Sequence, residues 1–196
     1  ILDIGTGTGL IALMLAQRSN AQIDAIEIEN RAFEQAVENF ENSSWADRLY
    51  CYHASLLEFN EEIEEQYDLI ISNPPYFNDT FKELDQERAL ARHTHNLSYK
   101  ELLSATNKLL SPAGSCAFII PFKEETNFLS LASLEKLFPV RITRVRGNTQ
   151  SNIKRSLIQL TRHPKTDITD ELIIETSRHV YTDEYIALVK DFYLNM

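Results

Sequence analysis

Glycine is scarce in this 196-residue chain, with five copies, and proline and cysteine number six and two. So little glycine and proline excludes collagen-like and low-complexity architectures, and 43% hydrophobic residues is too many for a disordered chain. No run of 18 apolar residues occurs, so no membrane-spanning helix and no membrane partner is expected. Cys51 and Cys116 lie far apart, each in an apolar run, without CxxC or metal-ligand spacing. That usage reads as buried reduced thiols of a cytoplasmic protein with no metal. Basic residues are also in short supply: 19 Lys and Arg stand against 29 Asp and Glu, a net charge of -10. A polyanionic partner is therefore excluded unless the cations are concentrated. Residue 1 is Ile, inside a strand-like run, and a natural segment preceding it is expected. The length fits residues 1–196 as a single domain, expected to act as a monomer.

The few glycines are clustered, three of them at Gly5, Gly7 and Gly9. The segment Ile1-Leu2-Asp3-Ile4-Gly5-Thr6-Gly7-Thr8-Gly9 reads as a strand, a tight turn and a helix start, where backbone N–H groups can receive a ligand. Its spacing is GxGxG, whereas a dinucleotide fingerprint is GxGxxG. Asp3 at the strand end would repel a pyrophosphate and favour a ligand carrying an ammonium or sulfonium. The loop thus argues against a nicotinamide dinucleotide and for S-adenosylmethionine, held by Asp3, Gly5, Thr6, Gly7 and Gly9. Glu27 ends the second strand, near the offset at which an acidic side chain meets a ribose diol. Ile28 beside it is assigned to the same pocket, and Glu29 is the competing carboxylate, expected at the start of the next helix. A third contact, to the adenine ring, is expected after the third strand, at the Ser55 hydroxyl or the backbone near Leu56.

Short β-like runs alternate with helical ones along the chain, the pattern of a parallel sheet covered by helices on both faces. Ser98 with Glu101 forms a capping-box pattern ahead of a helix to Leu110. The runs Val140 to Val145 and Arg155 to Leu160, joined by a polar loop, are expected as an antiparallel hairpin at one sheet edge. A tail with Leu172 to Ile174 and a helical pattern through Tyr185, Leu188 and Phe192 is expected to dock back on the domain.

Asn73-Pro74-Pro75-Tyr76 follows the fourth strand directly. Each proline drives the residue before it into an extended conformation, which fixes the Asn73 side-chain oxygen and the Pro74 carbonyl in direction. Two such acceptors can hold one NH2 group and stabilise the positive charge that develops on its nitrogen. Tyr76 offers a face on which a heteroaromatic ring can stack, and a base reached this way must leave its own stack. Asn73, Pro74, Pro75 and Tyr76 are accordingly the candidate catalytic residues, with Asn73 also facing the cofactor.

The combination DIGTGTG, Glu27 and NPPY resembles class I S-adenosylmethionine-dependent methyltransferases that act on exocyclic or amide nitrogens. Within them, NPPYF followed by RALARHTHNLSYKELLSATNKLLSPAGSCAFIIP resembles the bacterial tRNA1(Val) adenine-N(6) methyltransferase family. The resemblance implies an α/β, Rossmann-like fold with a seven-stranded, mostly parallel sheet in the order 3-2-1-4-5-7-6 and one antiparallel edge strand. It implies methylation of the adenosine beside the anticodon of a valine tRNA, with S-adenosylmethionine as cofactor and no metal. Ser55 departs from the family, whose members often have Asp at that point. The competing readings are a release-factor glutamine methyltransferase, an rRNA guanine 2-amino or DNA adenine methyltransferase, and a cofactor-binding module without catalysis.

The cations are in fact concentrated. From Arg141 to Thr166, Arg141, Arg144, Arg146, Lys154, Arg155, Arg162 and Lys165 stand with no acidic residue among them. A second acid-free window, Arg88 to Lys100, holds Arg88, Arg92, His93 and His95. Arg88, Arg92, His93, Arg144, Arg146, Lys154 and Arg155 are expected to form a positive rim for tRNA around the catalytic mouth, against the alternative of solvated charges on an edge hairpin. The paired histidines lack a third ligand nearby, which argues against a metal.

Overall fold

Strands buried on both faces read as continuous apolar runs, and β1 (Leu2–Ile4) and β2 (Ile23–Glu27) are buried along their whole length. The computed structural model describes residues 1–74 and 97–194. After β1 come α1 (Leu10–Arg18), β2, α2 (Asn30–Glu41), β3 (Leu49–His53), α3 (Leu56–Glu62) and β4 (Tyr67–Ser72). They are followed by α4 (Tyr99–Leu109), β5 (Leu110–Pro121), α5 (Glu125–Leu134), β6 (Phe138–Asn148), β7 (Arg155–Thr161), β8 (Ile168–Ser177), β9 (Val180–Tyr181) and α6 (Asp183–Val189).

Side chains alternate across the sheet and build two cores. Ile23 and Ala25 of β2 pack with Ala12, Ala16 and Phe40 of α1 and α2. Ile26 points the other way, into the cluster with Phe59, Leu103 and Phe128 of α3, α4 and α5. The capping box at α4 is formed, with the Ser98 hydroxyl accepting from the Glu101 amide at 3.2 Å and the Glu101 carboxylate accepting from the Ser98 amide at 2.8 Å.

Among the described residues the strand order is β3-β2-β1-β4-β5-β7-β6-β8-β9. The first seven follow the expected order, but the sheet has nine strands and the β6–β7 hairpin is not its edge. β7 runs antiparallel between β5 and β6, and β8 continues the sheet parallel to β6. Of the two added strands, β8 is hidden in the sequence because polar pairing holds it. Arg141 meets Asp170 and Arg146 meets Glu171, each at 2.6 Å, where an apolar alternation would otherwise announce a strand. The C-terminal helix docks as expected: the Arg18 guanidinium donates to the Leu188 carbonyl at 3.1 Å and lies 4.2 Å from the Phe192 ring centroid. Between α1, β5–β8 and α6 a cavity of about 850 Å³ remains, lined by Met14, Phe118, Leu157 and Leu188 among others.

Candidate active site

The parallel register sets out the site. Ile4 pairs with Ile26 on one side and Ser72 on the other, and Glu27 pairs with His53. One residue beyond those pairs, the carboxyl edge of the sheet presents His53, Glu27, Gly5 and Asn73 in a row across four adjacent strands. With strands about 4.8 Å apart, Glu27 and Asn73 are separated by about 10 Å, and Gly5 lies between them. The Ser72 hydroxyl, buried, donates to the Ile4 carbonyl at 2.8 Å and fastens β4 to β1 just below Asn73.

The turn after β1 needs its glycines for two different reasons. Gly5, Gly7 and Gly9 all have positive φ (68°, 60° and 86°), the left-handed region that L side chains resist. A Cβ on Gly5 or Gly7 would meet nothing within 4 Å, so the loop looks onto open space, whereas on Gly9 it would lie 2.5 Å from Phe40 Cε1. Gly9 therefore lets α2 pack against the loop, a role distinct from the ligand contact expected of it. Gly9 is also the N-cap of α1 and provides no side-chain cap. The first N–H groups of that helix, with the positive end of its dipole, are thus not closed off by a capping side chain.

Beneath the loop Asp3 is fully buried and accepts from the Thr6 hydroxyl at 2.6 Å, which ties the strand end to the turn. Its other oxygen, Oδ1, is buried without a hydrogen-bond partner among the described residues. Burial pushes the Asp3 carboxyl up to about 6, with the Thr6 hydroxyl and the Ala12 amide of the first turn of α1 opposing and the nearby Glu27 charge adding to the rise. Glu27 closes the loop from the other side. Its Oε2 accepts from the Gly7 amide at 2.8 Å, and its Oε1 accepts from the amides of Ile28 and Glu29 at 2.9 Å. Glu29 instead caps α2, accepting from the Ala32 amide at 2.7 Å, at the helix start where the sequence places it.

Ile28 is 40% exposed beside Glu27, an apolar side chain presented at the crevice. His53, not singled out by any sequence pattern, supports it. His53 stacks on Phe33 with centroids 4.9 Å apart, and its Nε2 lies 3.1 Å from the Ile28 carbonyl, an acceptor, so Nε2 carries the proton. Only the β2–β3 register reveals that contact. Ser55 caps α3, its hydroxyl accepting from the Glu58 amide at 3.2 Å, and Leu56 is buried in the core. Asn73 is exposed at the end of β4 and Pro74 is buried. Pro75, Tyr76, Arg88, Arg92, His93 and His95 lie outside the described residues.

Residues 1–138 match the family model described as the methyltransferase small domain. A protein of Flavobacterium johnsoniae named tRNA1(Val) (adenine(37)-N6)-methyltransferase is 56% identical over 198 residues, covering 100% of this chain and 84% of its own length. The chain belongs to the tRNA1(Val) (adenine(37)-N6)-methyltransferase family. A relative of the same name from Trichodesmium erythraeum is 44% identical, with 99% of this chain and 82% of the relative covered. In fold the chain is similar to a solved structure of a predicted O-methyltransferase from Agrobacterium tumefaciens, with a TM-score of 0.73 at 16% identity over 95% of this chain and 86% of that one.

For a methyltransferase, the crevice has the donors and acceptors that S-adenosylmethionine requires. The unpartnered Asp3 oxygen provides negative charge beneath the loop, the uncapped start of α1 suits a carboxylate, and the space over Gly5 and Gly7 admits a chain between them. Among the described residues no group of three His, Cys, Asp or Glu side chains could hold a metal ion, and no helix is long and apolar enough to cross a membrane.

The methyltransferase's basic window is partly spoken for. Arg144 forms a two-pronged pair with the buried Glu125, Arg146 pairs with Glu171, and Arg162 donates to the carbonyls of Asn107 and Leu110. Burial works against the Glu125 charge, yet Arg144 and Ser156 hold its carboxyl below the usual range. Lys154 is exposed and Arg155 half-buried at the start of β7. Arg155 pairs with Pro121 at the end of β5, so the hairpin tip rises from the same sheet edge as Asn73.

Proposed function

We propose that this chain transfers a methyl group from S-adenosylmethionine to the exocyclic 6-amino group of an adenosine in tRNA, the adenosine 37 of tRNA1(Val) named for its relatives. The observation that carries the mechanism is the register that makes Asn73 the neighbour of Gly5 on adjacent strands. The Asn73 side-chain oxygen and the Pro74 carbonyl accept the two hydrogens of the amine and turn its lone pair toward the cofactor side of the crevice. As the nitrogen gains positive charge, both acceptors stabilise it, and the proton leaves to water. When bound, the cofactor supplies an electrophilic methyl whose carbon–sulfur bond breaks as the carbon–nitrogen bond forms, with the electron pair going to sulfur.

Glu27 takes the ribose hydroxyls, Asp3 meets the cofactor's positive charge through the loop, and Ile28, Ser55 and Leu56 border the adenine. Tyr76, following Asn73 and the two prolines, stacks on the target base. Residues 1–196 work as one catalytic domain in the cytoplasm, where tRNA resides, and one chain is the working unit. The test is incubation of the protein with labelled S-adenosylmethionine and unmodified total tRNA, followed by mass spectrometry of the digested nucleosides. N6-methyladenosine at one position of one valine tRNA is expected. Label in methylguanosine alone, or in methylglutamine when protein is offered instead, overturns the reading.

A further inference from the structure

Phe122 is the first residue after β5, and 37% of it is exposed. Ser72 pairs with Phe118, so Asn73 falls level with Ile119 and Phe122 projects three residues further, about 10 Å beyond the methyl-accepting corner. An aromatic ring at the end of a buried strand would ordinarily turn inward, as Phe118 does against Phe128 at 5.2 Å. Phe122 is held outside instead. The Arg144 guanidinium lies 5.5 Å from its ring centroid, and that guanidinium is fixed by Glu125, which also accepts from the buried Ser156 hydroxyl at 2.5 Å. The Phe122 amide donates to the Lys154 carbonyl at 3.1 Å, which fastens the backbone after β5 to the hairpin tip, where Lys154 is exposed.

We propose that Phe122 is a stacking platform for a nucleotide base next to the target adenosine, with Lys154 on an adjoining phosphate and Arg144 as the positioning residue for the ring. This rests on the tRNA reading above. An adenosine withdrawn from its stack leaves its neighbour with one bare face, and a rigid aromatic at the rim replaces the lost partner without regard to base identity. Arg144 is neutralised by Glu125, so the cation that meets the phosphate here is Lys154. The ring supplies order to the flanking strand and takes no part in the chemistry, which places its effect on tRNA binding and not on turnover.

The experiment measures methylation kinetics on an unmodified tRNA transcript for the wild-type protein, Phe122→Leu and Phe122→Trp, with calorimetric cofactor binding for each. Phe122→Leu keeps the apolar bulk and loses the flat face. It should raise KM for tRNA about tenfold, within the range of base–aromatic stacking, with kcat and cofactor affinity unchanged, and Phe122→Trp should keep the wild-type KM. Arg144→Ala should raise the same KM, and Arg144→Lys, which can still pair with Glu125 over the ring, should restore it. An RNA stem-loop with 2-aminopurine beside the target should be quenched by wild-type protein and by Phe122→Trp, and not by Phe122→Leu. Equal KM values and equal quenching for wild type and Phe122→Leu overturn the platform and leave the methylation reading intact. Absence of quenching by the wild type does the same without recourse to any variant. A wild-type protein that leaves tRNA unmethylated overturns both.

Discussion

The Glu27 carboxylate accepts from the Gly7 amide at 2.8 Å, so the end of β2 holds the loop after β1 in shape across twenty residues of sequence. Because Ile28 and Glu29 donate to the same side chain, three N–H groups converge on it. Glu27→Gln replaces one acceptor oxygen by an amide group that opposes at least one of these donors. Stability should fall by about 1.5–3 kcal/mol, the worth of hydrogen bonds to a charged group, and cofactor affinity by about tenfold or more. Denaturant unfolding and calorimetry read the two effects separately.

Asp3 gives the cofactor site a pH dependence of defined sign. Its carboxyl is raised to about 6 in the folded chain, chiefly by burial, from an ordinary value of 3.8. The folded protein therefore binds this proton more tightly than the unfolded chain does. The corresponding stability is complete below about pH 4 and is lost as pH rises through about 6, a change on the order of 3 kcal/mol. A cationic ligand favours the ionised carboxylate, so cofactor affinity should rise with pH over the same window. Asp3→Asn should flatten both profiles, and a cofactor affinity that does not vary between pH 5 and 7.5 in the wild type would contradict the assignment.

The glycines of the loop should differ in what they tolerate. Gly5→Ala meets open space and carries only the cost of a left-handed backbone, about 1–2 kcal/mol. Gly9→Ala carries that cost and drives a methyl to 2.5 Å from Phe40, a ring packed in the α1–α2 core. Its loss of stability should exceed that of Gly5→Ala by about 1–3 kcal/mol, and Phe40→Leu in the Gly9→Ala background should recover part of it. Thermal unfolding of the four proteins decides the ranking.

Asn73→Ala removes one of the two amine acceptors while leaving the glycine loop, Asp3 and Glu27 in place. Turnover should fall by at least about a hundredfold, the scale on which a preorganised hydrogen-bonding group contributes to a charged transition state. Cofactor affinity should change by no more than a few-fold. Single-turnover kinetics with calorimetry separates these, and full activity in the variant would remove Asn73 from the catalytic role.

The glycine spacing, Glu27 and NPPY stand out in the sequence because each is a local pattern, a few residues whose chemistry depends on their neighbours in the chain. The row of Glu27, Gly5 and Asn73 along one sheet edge follows from strand order, which alternation of short strands and helices also foretells. What stayed hidden depends on side chains from distant elements. His53 under Ile28 requires the β2–β3 register, and Phe40 against Gly9 requires the placement of α2. The strand β8 escaped because ion pairs with β6 hold it where the sequence pattern looks for apolar alternation. The same pairs explain why the acid-free window from Arg141 to Thr166 overstates the free cations: its partners Glu125, Asp170 and Glu171 lie outside it.

Charge reversal should therefore have opposite consequences at two residues of that window. Arg144→Glu places a second carboxylate against Glu125, itself 6% exposed, with Ser156 buried behind it. Because the Arg144 side chain is about one-third exposed, the loss is smaller than for a fully buried pair, about 2–3 kcal/mol in stability. Lys154→Glu changes an exposed side chain at the hairpin tip. Its unfolding midpoint should stay at the wild-type value while tRNA affinity falls and the slope of log affinity against log salt flattens by about one phosphate's worth. Denaturation curves and binding titrations from 50 to about 200 mM salt distinguish the two. A Lys154→Glu variant with unaltered salt slope would remove the hairpin tip from the RNA surface.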